Sequence, residues 1–246
     1  MSHIKRISED KLKEKLKEFQ LLIKSDKSMP QNINEMLLIR NLKFYNGNVE
    51  KALKRLIANM ELRQYFTNVY EFRDPFDARL RRLIDQILMF LMPKVTTNND
   101  RIMILKLIEF DPDSIIVDDA LTVFSMVYDT TLITPEKGQL ADGEIVIIDL
   151  DGVTARHLTK IGFSALRCFF KYMNEAHPMR ITQIHLINCP TVLDKLMMLC
   201  RPLMYSTTMK VLHFHLPNST TLFDFVSREL LPNEIGGSGG TLEKSK

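Results

Sequence analysis

The order of apolar and polar positions divides the chain in two. Residues 5–92 carry helical periodicity alone. Leu12, Leu16, Phe19 and Ile23 make one amphipathic stripe, and Val49, Leu53, Leu56 and Met60 make a second. Leu80, Ile84, Ile87 and Leu91 make a third, which ends before Pro93. From Arg101 onward short apolar runs alternate with longer amphipathic segments. IMILKLIEF (102–110) predicts a strand and Val117–Ile133 a helix. GEIVIIDLDG (143–152) is a continuous apolar run closed by Asp149 and Gly152, the pattern of a strand buried on both faces. Lys160–Ala176 follows as a helix with Phe163, Leu166, Phe170 and Met173 on one face, and then QIHLINCP (183–190) as a strand stopped by Asn188 and Pro190. Strand, helix and strand at this spacing make a right-handed crossover between parallel strands. Pro190–Met204 predicts a Met-rich helix, VLHFHL (211–216) a further strand and Thr220–Leu230 a closing helix. The expected class is α/β: an N-terminal all-helical module (1–92), an α/β domain with a mostly parallel sheet (93–237), and a short flexible tail (238–246).

Composition narrows the function classes. The net charge of +3 is carried entirely by the first thirty residues, which hold eight Lys/Arg against five Asp/Glu. With no concentrated basic face, a nucleic-acid partner is not expected. Lys11–Lys17 interleaves Lys with Glu and reads as a solvated helix face. Cys168, Cys189 and Cys200 lack CxxC spacing and are odd in number, which suits a reducing compartment. No run approaches the ~18 apolar residues of a membrane span, and the N-terminus lacks an apolar signal core. A cytoplasmic monomer is expected.

Candidate chemistry is sparse. GGSGG (236–240) matches the G-x-S-x-G string, but a helix is expected before it and no histidine follows His215. A nucleophile elbow needs the reverse setting, so Ser238 is not read as catalytic. His213 and His215 project to one face of a strand, yet no Cys, Asp or Glu at ligand spacing completes a metal set; hydrogen-bonded structural histidines are the expectation. Asp149 and Asp151 end a strand where α/β enzymes gather ligands, but no phosphate loop accompanies them. Asp149 is expected to hold its turn by accepting backbone N–H groups. No catalytic residue, metal or cofactor is expected. What stands out is a surplus of large adaptable side chains, fourteen Met and fourteen Phe. The 190–204 helix is apolar around much of its circumference and must be buried against something; a flexible wall of this kind suits an irregular apolar ligand.

Six segments together resemble the CRAL-TRIO lipid-binding family, whose members include the alpha-tocopherol transfer protein and cellular retinaldehyde-binding protein. They are MLLIRNLKFYNGNVEKALKRLIANMELRQYF (36–66), GEIVIIDLDGVTARHL (143–158), HPMRITQIHLINCP (177–190), RPLM (201–204), LHFH (212–215) and LPNEIGG (231–237), in the family's order over about residues 12–240.

The resemblance implies a sheet that forms the floor of a lipid cavity, helices above it, and a gate at about residues 191–211. By position it implies ligand-binding roles for Val123, Met126, Val127, Thr130, Ile148, Ile161, Met173, His177, Ile181, Ile184, Leu193 and Met197. It also implies membrane or anion contacts at Lys54 and Arg180, with Arg40 and Lys43 nearby. The family's basic positions after the gate hold Thr207, Met209 and Val211 here, and Arg180 is followed by Thr182, so phosphoinositide binding is expected to be weak. The implied function is a carrier of a retinoid, tocopherol or similar lipid that visits membranes transiently and does no covalent chemistry. The alternative is an interaction or regulatory module that keeps the fold without transfer.

Overall fold

The computed structural model describes residues 6–108, 111–113, 116–136 and 140–242. Five helices open the chain: α1 (Glu9–Ser25), α2 (Glu35–Phe44), α3 (Val49–Tyr65), α4 (Thr67–Tyr70) and α5 (Ala78–Gln86). α2, α3 and α5 each start where the sequence offers a side-chain acceptor. Asn34 takes the Met36 N–H, Asn48 the Lys51 N–H, and Asp77 the Arg79 and Leu80 N–H groups. The α1, α2 and α3 stripes meet in one core built on Phe19, Ile23, Leu38, Leu42, Ala52 and Leu56.

The third stripe does not continue as a helix. α5 stops at Gln86, and β1 (Ile87–Leu91) pairs antiparallel with β2 (Asp100–Leu107) from Ile87↔Leu107 to Leu91↔Met103. ILMFL is apolar at every position, so helical spacing is satisfied by chance. Pairing with these five residues covers the edge of β2, which would otherwise be left open.

The sheet has the order β1-β2-β3-β4-β5, and after β1 every pairing is parallel. β3 is Gly143–Asp149, β4 Ile181–Ile187 and β5 Leu212–Phe214. The crossovers are α6 (Val117–Ile133), then α7 (Ala155–Lys160) with α8 (Phe163–Lys171) and a π-helical turn (Tyr172–Ala176), then α9 (Leu193–Cys200) with α10 (Ser206–Met209). Each crossover steps to the next strand in the same direction, which keeps all of them on one face. Accordingly Phe124 and Tyr128 of α6 pack with Met103 and Leu105, and Leu193 and Leu196 of α9 with Ile148, Ile184 and Leu186.

The opposite face, Ile102, Ile104, Ile145, Ile147 and Ile187, is sealed by Leu222, Val226 and Leu231. The helix expected over 220–230 is replaced there by 3-10 turns at Thr221–Asp224, Arg228–Leu230 and Asn233–Ile235. Pro232 removes a donor, and the Gly-rich segment supplies others. Ser238 N–H reaches Arg228 O and Gly239 N–H reaches Leu231 O, both at 2.8 Å. A Cβ at Gly237 would collide with the Leu231 carbonyl, which is why glycine stands there. GGSGG is therefore a backbone docking strip. The expected flexible tail is docked through Leu242, whose N–H meets Glu234 at 2.9 Å; residues 243–246 lie outside the described residues.

On the same face His185 Nδ1 lies 2.9 Å from His215 Nε2, and His215 Nδ1 lies 2.7 Å from the Thr221 hydroxyl. His213 stacks on His185 at 5.0 Å between centroids. Of the two histidines near this strand, His215 thus bonds to His185 and His213 stacks on it. Asp149 accepts the Asp151 N–H at 3.0 Å and the Asn188 amide at 2.8 Å, as its place in the turn suggests.

Burial holds His177 and His185 neutral, with pKa values lowered from 6.5 to about 3. A histidine depressed in the folded state stabilises fully above the unfolded pKa and loses that contribution as pH falls towards the folded one. Urea unfolding between pH 6.5 and 3.5 should show stability dropping with acid by about 1.4 kcal/mol per pH unit for each of the two. His185→Asn should remove one histidine's share of that slope; an unchanged slope would show that His185 is not held neutral.

Candidate functional site

Between the sheet and its helices lies a cavity of about 480 Å³. Strand alternation supplies its floor: Leu105 from β2, Val146 and Ile148 from β3, Ile184 and Leu186 from β4, and Leu212 from β5. Ile181 joins them because the β3–β4 register shifts at Glu144/Ile145. Phe124 and Tyr128 of α6 and Leu166, Phe169 and Phe170 of α8 form the walls. The roof is Leu196, Met197, Cys200, Met204, Tyr205, Thr207, Thr208 and Val211. Such a wall rewards burial of hydrocarbon at about 25 cal/mol per Å².

One part of the lining is polar. Arg55 of α3 donates to His177 O (2.7 Å) and Asn174 O (3.2 Å) and lies 3.9 Å over the Phe44 ring. Asn174 in turn donates to Leu203 O and accepts from the Thr208 hydroxyl, both at 3.1 Å. Arg180 donates to Phe44 O at 2.6 Å. The π-helical turn ends in orphan carbonyls, and α3 meets them with Arg55 and with Asn59, which donates to Ala176 O at 3.1 Å. Helical module and cavity wall are joined at this point.

Behind the wall runs a buried polar chain. His177 Nδ1 lies 2.9 Å from Met179 O and 3.0 Å from Met179 N, and its Nε2 lies 2.8 Å from the Tyr128 hydroxyl. Tyr128 donates to Glu144, which also pairs with Arg101 at 3.4 Å. Burial, then the Glu144 carboxylate, push the Tyr128 pKa well above its ordinary value. The chain is neutral where it meets the cavity and presents no titrating group there.

Of the residues implied by position, Ile148, Met173, Ile181, Ile184 and Met197 line this cavity. The rest fall elsewhere. Val123, Met126 and Val127 pack against Leu80 and Leu83 of α5. The exposed Thr130 hydroxyl bonds Met126 O, and Leu193 packs with Leu150 and Leu186. Ile161 lines a second cavity, and His177 is fully buried behind Tyr128. The roof residues, Leu196 to Val211, fall within the segment of about 191–211 that the resemblance implied as a gate. Phe124, Tyr128 and Phe169 were not anticipated; helical spacing from Leu166 points to Phe169. Arg55 carries no sequence signal.

The basic residues are mostly committed. Arg40 is buried, bonding Leu132 O and Glu136, and Lys43 pairs with Asp142 at 2.8 Å. Lys54 is exposed on α3. Among the described residues no group of three or more His, Cys, Asp or Glu is placed to hold a metal ion.

A family model described as the CRAL/TRIO domain matches residues 86–237. Clavesin-2 of Homo sapiens is 22% identical over 204 residues, covering 83% of this chain and 62% of that protein. Clavesin-1 of Xenopus laevis is 23% identical over 209 residues, covering 83% of this chain and 61% of its own length. The chain therefore spans about three-fifths of these relatives. The crystal structure of Sfh5 superposes with a TM-score of 0.56 at 14% identity, over 98% of this chain and 92% of that one, a likeness of fold.

The cavity wall is directly testable. Ile184→Glu places an unpaired charge in the floor, which costs several kcal/mol when an apolar molecule covers it. Affinity for an apolar fluorescent probe should fall at least a hundredfold while circular dichroism stays native. Unchanged binding by a folded variant would take Ile184 out of the site.

Proposed function

The chain belongs to the CRAL/TRIO domain family, and on that footing we propose that it is a carrier. It binds one hydrophobic small molecule between the sheet and the 193–211 segment and hands it to a membrane or a partner without covalent chemistry. The observation that carries this reading is the apolar cavity itself, about 480 Å³ and within the range of small-lipid sites. A retinoid, a tocopherol or a similar lipid with one polar end matches a largely apolar chamber whose polar lining includes Arg55, Asn174, Arg180, Thr207 and Thr208.

The roof supports transient membrane contact. Met198 is 72% exposed, and Leu199 and Tyr205 are exposed beside it, apolar groups that a bilayer interface would take up. No helix among the described residues is long and apolar enough to cross a membrane. The working form is a cytoplasmic monomer with no nucleic-acid partner and no cofactor. Phosphoinositide recognition is weak in this reading, because Arg40 and Lys43 are tied in ion pairs and Thr207, Met209 and Val211 carry no charge.

Native mass spectrometry of the purified chain, followed by organic extraction, should find one apolar molecule per chain. An empty protein that also refuses retinol, tocopherol and phospholipid titrations would favour an interaction module instead. Transfer of bound probe to anionic vesicles should slow only modestly between 50 and 300 mM salt, since Lys54 is the exposed cation of the pair implied at this surface. A steep salt dependence abolished by Lys54→Ala would mean that electrostatic docking dominates.

A further inference from the structure

Three imidazoles meet on the far face of the sheet, away from the cavity. His185 and His215 are buried, and His213 stacks on His185. His185 Nε2 lies 2.9 Å from Gln183 Oε1, and its Nδ1 lies 2.9 Å from His215 Nε2. The other side of His215 belongs to the segment that covers this face. Its Nδ1 is 2.7 Å from the Thr221 hydroxyl, which is 2.8 Å from that of Ser219. Thr221 directly precedes Leu222, which seals the far-face core. Four residues on, the Phe225 ring lies 4.4 Å from His213 and 5.2 Å from His185 between centroids. The cover is thus attached, where it begins, through Gln183, His185, His215, Thr221 and Ser219 in series.

This series tolerates few protons. Whichever ring donates, the His185–His215 contact needs one N–H and one lone pair. A first added proton leaves a buried charge, and among the described residues none of the three histidines makes an ion pair. Asp224 favours the charged form of His215, while His213 and His215 oppose a charge on His185. A second proton sets two N–H groups against each other across 2.9 Å. Burial, then the neighbouring imidazoles, lowers the His185 pKa from 6.5 to about 3, and burial, then His213, lowers that of His215. Groups depressed in the folded state stabilise it above the unfolded pKa and lose that contribution as pH falls. The contact is therefore intact at neutral pH and fails on the acid side.

We propose that this relay is an acid-operated latch, which holds the 219–242 segment on the sheet while both imidazoles are neutral and releases it, on protonation, before the rest of the molecule unfolds. The sheet side of the relay is held by the ladder: His215 N–H reaches Leu186 O at 2.9 Å, and Cys189 N–H reaches His215 O at 3.0 Å. The cover side is a 3-10 turn, Thr221–Asp224, and yields first. Its release bares the apolar strip of Ile102, Ile104, Ile145, Ile147 and Ile187. The inference is independent of the carrier reading.

Hydrogen exchange followed by mass spectrometry tests it on the whole chain between pH 7 and pH 4.5, with intrinsic rates corrected. Relative to α2 and α3, exchange in 219–242 should quicken about tenfold or more in acid. Thr221→Val, which keeps every histidine and cuts the attachment, should show the quickened exchange already at pH 7. His185→Gln/His215→Gln, which cannot take the protons, should lose the acid response. In ¹⁵N-histidine spectra of wild type, the His185 and His215 signals should change from neutral to charged over the pH range in which the cover opens. A cover that opens only together with α2 and α3, that opens in acid in the double variant, or that opens while both rings stay neutral would overturn the latch, as would unchanged exchange in Thr221→Val.

Discussion

The C-terminus of α6 is where the structure is tied together. Its last carbonyls have no helical partners, and two arginines from different parts of the chain supply them. Arg40 of α2 donates to Leu132 O at 2.6 Å and to Thr134 O at 3.1 Å, and Arg101 of β2 to Thr131 O at 2.9 Å. Glu136 balances both charges at 3.1 and 3.4 Å. All three side chains are buried, so removing one partner would strand a charge at about 3–5 kcal/mol. The same Arg101 reaches Glu144 and through it Tyr128 and His177. One cluster therefore fixes the helical module to the sheet, sets α6 above it, and anchors the back wall of the cavity.

This dependence explains which residues could be read from sequence. The parallel strands were legible because apolar runs such as Ile145–Ile148 leave no other burial. The 117–133 helix was legible to the residue, but not its orientation. α6 is buried on two sides: Val123, Met126 and Val127 face α5, while Phe124 and Tyr128 face the cavity. Both sets have helical spacing, and nothing in their period says which meets the sheet. Arg40 and Arg101 decide it by pinning the helix end, a contact between residues 30 to 90 positions apart in sequence. The same limit applies to β1, where the pattern of an all-apolar pentapeptide fits either period until the free edge of β2 chooses.

Charge and polarity were misleading for a related reason. Arg40 and Lys43 looked like surface cations near Lys54, and His177 like a head-group donor. The fold uses the first two as internal ion pairs and the third as a neutral relay to Tyr128. A polar residue's role depends on its partner, and these partners come from distant segments. His157 differs because its Nδ1 partners are local, the N–H and hydroxyl of Thr154 three residues back, which makes the capping box legible in the sequence.

The two faces of the sheet are held by unlike means, and that asymmetry bears on how a cavity can open. The far face is closed by Leu222, Val226 and Leu231 and by the backbone bonds of the glycine strip. The cavity roof is short and interrupted: α9 gives way at Arg201–Leu203, where Pro202 breaks it, and α10 has four residues. Its side-chain hydrogen bonds to the rest of the molecule include Asn174 to Leu203 O, Thr208 to Asn174 and Tyr205 to Glu175, all on one π-helical turn. Segments held by few contacts open at the least cost. The turn that receives those contacts is itself held by Arg55 and Asn59 of α3. The N-terminal helices, which lend Phe44 and Arg55 to the cavity lining, are therefore also connected to the roof through Asn174.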